Sequence, residues 1–139
     1  MNQRPRRNRN SFNIREMVAE THLKKEDLIY PLFIVDGSQQ KIPIESMPNC
    51  YRWSLDLLIK ELEKCGELGI TNFVLFPVVD NKFKDQKATY SYSSENFYLK
   101  AIEAIKKEFP HFTLMSDVAM DPYSTDGHDG LVINGEINN

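Results

Sequence analysis

Asp117, Asp121, Asp126 and Asp129 follow one another in Phe112–Gly130, FTLMSDVAMDPYSTDGHDG, together with His128 and the glycines Gly127 and Gly130. Crowded carboxylates repel and resist ionising together unless a cation, a lysine or a shared proton relieves them. Such a group suits a hard metal ion or proton transfer. The apolar run FTLM just before it reads as a buried strand emptying into an acidic loop. In parallel α/β proteins the chemistry sits outside the carboxyl ends of the strands. If the strand runs on through Met120, alternation puts Asp117, Ala119 and Asp121 on one face, with Asp129 folding back from the loop. The bland alternative is a polar loop whose aspartates cap turns and whose glycines take positive φ.

The elements that must position this loop are legible upstream. Leu28–Val35, LIYPLFIV, and Thr71–Val79, TNFVLFPVV, are near-continuous apolar runs, as expected of parallel strands buried on both faces. Pro31 removes a ladder donor from the first. Between them Asp36–Tyr51 reads as a loop containing Pro43 and Pro48. Ser54 then opens a helix with Leu55, Leu58, Ile59, Leu62 and Cys65 at helical spacing, ending near Gly66 or Gly69. A long polar stretch, DNKFKDQKATYSYSSEN, follows the second strand and is the length of a functional loop. Phe97–Phe109 returns to helical spacing through Leu99, Ile102, Ile105 and Phe109, and Pro110 stops it. Leu131–Ile137, with Asn134-Gly135 at its centre, predicts a hairpin. Near the start, Ile14–Glu20 predicts a short helix with Ile14, Met17 and Val18 on one side. The order strand, helix, strand, helix, strand predicts right-handed βαβ units and a parallel sheet.

Bulk properties narrow the function classes. At 139 residues, 41% apolar and 27% charged, the chain is ordinarily globular. Its net charge of −3 gives no global basic field for nucleic acid. Cys50 and Cys65 fit no metal or redox spacing. No stretch reaches membrane-spanning length, and no apolar segment backs the basic start, so the expectation is a cytoplasmic protein without membrane or nucleic-acid partners. Residues 1–13, carrying Arg4, Arg6, Arg7 and Arg9, read as an extended arm ahead of a domain over 14–139. Such an arm suits subunit contact or, on weaker grounds without interleaved aromatics, nucleic acid.

DVAMDPYSTDGHDG resembles the metal-site stretch of the porphobilinogen synthases, or 5-aminolevulinate dehydratases. Further likenesses are RPRRNR followed by IREMVAET, the strand DLIYPLF, the segment IESMPNCYRWS, and the pair Lys84-Asp85. Asn49 stands where the family usually has glycine, and a glycine usual shortly after the Lys-Asp pair is missing. Many members have cysteines where this chain has Ala119, Asp121 and Asp129. It is therefore similar to the aspartate-rich branch, associated with Mg2+ rather than a catalytic zinc, which agrees with carboxylate preference. The resemblance implies an N-terminal piece of a TIM (β/α)8 barrel, its first three β/α units, since such barrels need about 250 residues. It implies condensation of two 5-aminolevulinate molecules to porphobilinogen, in a homo-oligomer (octamer or hexamer) contacted through the arm. It implies Asp117 as the catalytic carboxylate, Asp121 and Asp129 as metal ligands, and a structural His128. The Schiff-base lysines are expected on later strands. Two other classes compete with this reading: a receiver-like phosphoacceptor domain, and a nucleic-acid module using the arginine arm. An EF-hand is excluded by Pro122 where glycine is needed.

Overall fold

The computed structural model describes residues 5–138. Three parallel strands form its centre, β1 (Tyr30–Val35), β4 (Asn72–Val78) and β5 (Thr113–Ser116), adjacent in that order. On the other side of β1 lie β3 (Tyr51–Trp53), parallel to it, and β2 (Lys41–Pro43), antiparallel to β3. The helices α2 (Leu55–Glu67) and α3 (Phe97–Glu108) link β1 to β4 by way of β3, and β4 to β5. Both pack on the same side of the sheet. Leu32 and Ile34 of β1 and Phe73 and Leu75 of β4 are buried in one cluster with Leu58, Leu62, Tyr98, Ala101 and Ile105. Strands that follow one another in chain order with every helix on one side wind singly, as in a barrel. A receiver-like domain, wound on both faces, is excluded by this arrangement.

The opposite face carries Phe33, Val35, Val74, Phe76 and Val78, all half-buried. Phe33 and Phe76 stack across β1 and β4 with ring centroids 5.6 Å apart. The apolar runs therefore alternate between a covered outer face and a partly open inner one; burial on both faces, expected from their composition, is incomplete. The prolines in them are tolerated by the ladder's outline. β3 reaches β1 only at Phe33 and Ile34, so Pro31 lies where one side of β1 has no partner. β5 pairs with β4 only over Asn72–Leu75, so Pro77 lies beyond its end.

Local chemistry sets the helix limits. Ser54 does occupy the N-cap of α2, but its fully buried hydroxyl does not cap the helix. It accepts from Gln40 N–H at 2.9 Å, tying the start of β2 to the helix. At the other end, Ile70 N–H donates to Cys65 C=O and Gly69 N–H to Gly66 C=O, both at 2.9 Å, with Gly69 at φ +82°. That is a Schellman stop, and a side chain at this φ would be strained. In α3 the expected stripe holds at Ile105, with Ile102 and Phe109 packed against the core, but Leu99 is exposed while Tyr98 and Ala101 are buried. The Asn96 cap, which accepts from Tyr98 N–H at 2.9 Å, starts the helix in that rotation.

Other differences lie in the loops and at the start. Asp36–Tyr51 contains β2 and part of β3, strands of three residues that composition did not reveal. Asn49 takes φ +64°, as expected of a glycine substitute. The first helix, α1, runs Phe12–Met17 rather than 14–20, because Ser11 accepts from Ile14 N–H and starts it early. None of its residues is buried. The arm is not extended throughout: Pro5–Arg9 is a 3-10 turn, and the expected boundary at residue 13 falls inside α1. Residues 1–4 of the arm lie outside the described residues. The hairpin is present as β6 (Leu131–Ile133) and β7 (Glu136–Asn138), with Asn134 and Gly135 both at positive φ. No helix among the described residues is long and apolar enough to cross a membrane.

Candidate active site

β5 ends at Ser116, so the acidic stretch is loop from Asp117 onward. The strand does not run through Met120, and β alternation is not what places Asp117, Ala119 and Asp121. A turn gathers them instead. Tyr123 and Ser124 N–H both donate to Met120 C=O at 2.9 Å, and Asp129 folds back over this turn. Its Oδ1 accepts from Met120 N–H at 2.8 Å and from Asp121 N–H at 3.2 Å. Val118, 97% exposed, points away.

Asp117, Ala119 and Asp121 line one cleft of about 530 Å3 at the carboxyl ends of the strands, on the inner face. Phe33, Phe76 and Val78 form its floor, and Arg52 and Lys84 bring positive charge to its wall. Asp117 also borders a smaller cleft of about 320 Å3 over Tyr98, Leu99 and Ile102 of α3. Among the described residues its carboxylate has no hydrogen-bond partner, which leaves both oxygens free. Burial holds the Asp121 carboxyl above the usual carboxylate range, with repulsion from Asp129 and then Asp117 adding to it and Lys84 opposing it. Asp117, Asp129 and Lys84 thus lie close enough for their charges to act on Asp121. His128 and Asp126 are exposed and outside the cleft lining.

Lys84 and Arg52 are the residues that the sequence did not single out for this site. Lys84 belongs to the long polar loop after β4, and it is half-buried where it lines the cleft with the acidic group. Its pairing with Asp85 in the family-like motif was the available signal. Arg52 lies on β3, one of the strands hidden in the first loop.

A raised folded-state pKa means that Asp121 favours folding only while protonated. That contribution is complete below the ordinary carboxylate pKa and is lost as pH rises through the folded value. At neutral pH its charge is a burden. Asp121→Asn is therefore expected to raise folding stability at pH 7 by about 0.2–1 kcal/mol, the range for partly exposed charge pairs. The gain should shrink toward zero as the pH is lowered into the acid range, and urea melts at several pH values measure it. A variant less stable than the parent at pH 7 contradicts the assignment.

A singly wound β/α sheet with carboxylates and cations gathered where its inner face meets the strand ends has the architecture of a (β/α)8-barrel enzyme, with the barrel not closed by these strands alone. The sequence model of the family described as delta-aminolevulinic acid dehydratase matches residues 2–139. A delta-aminolevulinic acid dehydratase of Chlamydia pneumoniae is 46% identical over 139 residues, covering 100% of this chain and 42% of that protein. One from Bradyrhizobium diazoefficiens is 42% identical over 136 residues, covering 98% of this chain and 38% of its own length. The crystal structure of delta-aminolevulinic acid dehydratase (porphobilinogen synthase) from Toxoplasma gondii ME49, in complex with the reaction product porphobilinogen, superposes with a TM-score of 0.94. It is 43% identical and covers 100% of this chain and 40% of that one. This chain belongs to the delta-aminolevulinic acid dehydratase family. It spans about two fifths of the length of these relatives.

Proposed function

We propose that this chain supplies the first three β/α units of an enzyme that condenses two 5-aminolevulinate molecules into porphobilinogen with loss of two waters, as a step toward tetrapyrroles such as heme. The observation that carries the reading is the inner-face cleft in which Asp117 and Asp121 meet Lys84, in a chain of this family. The family relative from Toxoplasma, whose structure holds porphobilinogen, supports the substrate class.

In this reading Asp117 is the catalytic carboxylate. Its unengaged oxygens can hold a substrate ammonium or take a proton during condensation. The apolar floor of Phe33 and Phe76 excludes water beneath it and strengthens such contacts. Asp121 and Asp129 are the residues that would hold Mg2+. Their chemistry fits: Ala119 offers no ligand atom, no thiolate is present in the cleft lining, and carboxylate oxygens suit a hard ion. Among the described residues no three His, Cys, Asp or Glu side chains form a ready cage. One or two carboxylates with waters completing the shell is, however, the usual way this ion is bound. When bound, it supplies fixed positive charge and a Lewis-acid contact for substrate oxygens. A cytoplasmic homo-oligomer in contact through the N-terminal arm is part of the same proposal. The exposed apolar side chains of Phe12, Ile14 and Met17 support it.

Incubating the full-length protein with 5-aminolevulinate and assaying for porphobilinogen tests the function; no product under any metal condition refutes it. The metal assignment has its own outcome. A zinc-specific chelator is expected to leave turnover nearly intact, and stripping magnesium is expected to lower it. Activity that collapses on zinc removal and returns only with zinc overturns the aspartate-rich reading.

A further inference from the structure

The loop between β4 and α3 is not a free surface loop; it is stitched to the acidic loop. Asp85 N–H donates to Tyr123 C=O at 3.2 Å, and Thr125 N–H donates back to Asp85 C=O at 3.2 Å. Together they make an isolated parallel bridge between Asp85 and Ser124. Beneath it Val79, Ala88 and Tyr123 form a separate buried cluster, joined by Phe83, Tyr90, Phe97 and Met120. The fully buried Asn96 closes the far end, its amide donating to Tyr90 C=O, Ser91 C=O and the Tyr123 hydroxyl at 3.1–3.2 Å.

What shapes the Asp85 side of this seam is its own carboxylate. Oδ1 accepts from Lys87 N–H at 2.8 Å and Thr89 N–H at 3.1 Å, and Oδ2 accepts from the Thr89 hydroxyl. The Thr89 bonds above all, then those from Lys87 and Ala88, hold the Asp85 carboxyl below the usual carboxylate range. The turn so formed forces Ala88 to φ +53°, a conformation costly for a residue with a Cβ. The carboxylate bonds oppose that cost and keep Ala88 beneath Tyr123. Directly before Asp85, Lys84 is aimed into the cleft that Asp117 and Asp121 line. A single turn thus fixes the backbone of the acidic loop and the cation that faces it.

We propose that Asp85 is a positioning residue for the active site: its carboxylate locks the 85–89 turn, and that turn holds the Asp117–Asp129 loop and Lys84 in register with each other. This rests on the functional reading above. Asp85 itself lies outside the cleft lining, so it acts through Lys84 and the Tyr123–Thr125 backbone.

The test uses full-length protein carrying Asp85→Asn, which keeps the side chain's size, and Thr89→Val, which deletes the hydroxyl donor to the same carboxylate. Hydrogen exchange should quicken about tenfold or more at the amides of Asp121 and Tyr123–Asp126 in both variants, with the amides of β1, β4 and α2 unchanged. Porphobilinogen formation should fall about tenfold in kcat for Asp85→Asn and less for Thr89→Val, with KM for 5-aminolevulinate within about twofold of the parent. Asp85→Glu should recover part of the loss. Unchanged exchange in the acidic loop overturns the proposal. So does faster exchange throughout the fold, which would mark a merely structural residue, and so does looser exchange with undiminished kcat. A parent protein that makes no porphobilinogen refutes the function instead, and the exchange comparison still decides whether Asp85 holds the loop.

Discussion

Asp117→Asn is expected to slow porphobilinogen formation by about 10²–10⁴, the usual loss when one proton-transfer group is removed. Folding stability should stay within about 0.5 kcal/mol, as for surface changes that break no packing or hydrogen bond. The two halves of this expectation come from the same observation. The Asp117 carboxylate is exposed, has no hydrogen-bond partner among the described residues, and borders two clefts at the end of β5. An isosteric amide keeps the shape and removes the charge and the basicity. Steady-state kinetics alongside a urea melt separate the effects. Near-normal turnover in a well-folded Asn variant assigns Asp117 to the scaffold.

A polypeptide of residues 1–139 alone is expected to form no Schiff base with 5-aminolevulinate and to make no porphobilinogen. An amine that attacks a ketone near neutral pH needs burial or a neighbouring cation to lower its pKa. None of the lysines described here is buried. Lys100 is engaged with Glu95 at 2.7 Å, and Lys106 donates to Pro110 C=O and Phe112 C=O, both at 2.8 Å. Among the described lysines Lys84 alone lines the cleft, and it is only half-buried there. Borohydride reduction in the presence of 5-aminolevulinate followed by intact mass measurement gives the answer. Stoichiometric, saturable labelling of one lysine, Lys84 above all, would show that the amine chemistry resides here.

The parts of this fold written in long apolar runs were legible, because burying Leu32, Ile34, Phe73 and Leu75 dominates local preference. The α2 stop near Gly69 and the Asn134-Gly135 hairpin were legible because each depends on positive φ at a named residue. The strands β2 and β3 were not. Three residues give too little periodicity, and Trp53 is buried through a cluster drawn from distant parts of the chain. The exposure of Leu99 at the start of α3 was not legible for a similar reason: the helix cap and the Tyr98 hydroxyl, which donates to Leu75 C=O at 2.7 Å, turn Tyr98 inward instead. At the site, the grouping that alternation predicts is reached by another route. Asp117, Ala119 and Asp121 share a cleft through a hydrogen-bonded turn that Asp129 closes, not through the pleat of a strand. Lys84 was hidden because a polar loop reads as solvated until its long-range partners, here Tyr123 and Thr125, are known.

The central ladder also bears on how the chain acquires its structure. β1, β4 and β5 pair in the order in which they are synthesised, each with the strand next to it among the central three. The intervening helix bridges each pair, so every closure joins segments only one β/α unit apart, and closure entropy grows slowly with loop length. A nascent chain leaving the ribosome can therefore add one strand at a time to an edge already present, without waiting for distant sequence. The inner face, with Phe33 and Phe76 stacked and half-exposed, is the apolar surface such a growing sheet carries until more chain arrives to cover it. Early assembly of this segment is thus sequential in topology and aggregation-exposed in chemistry.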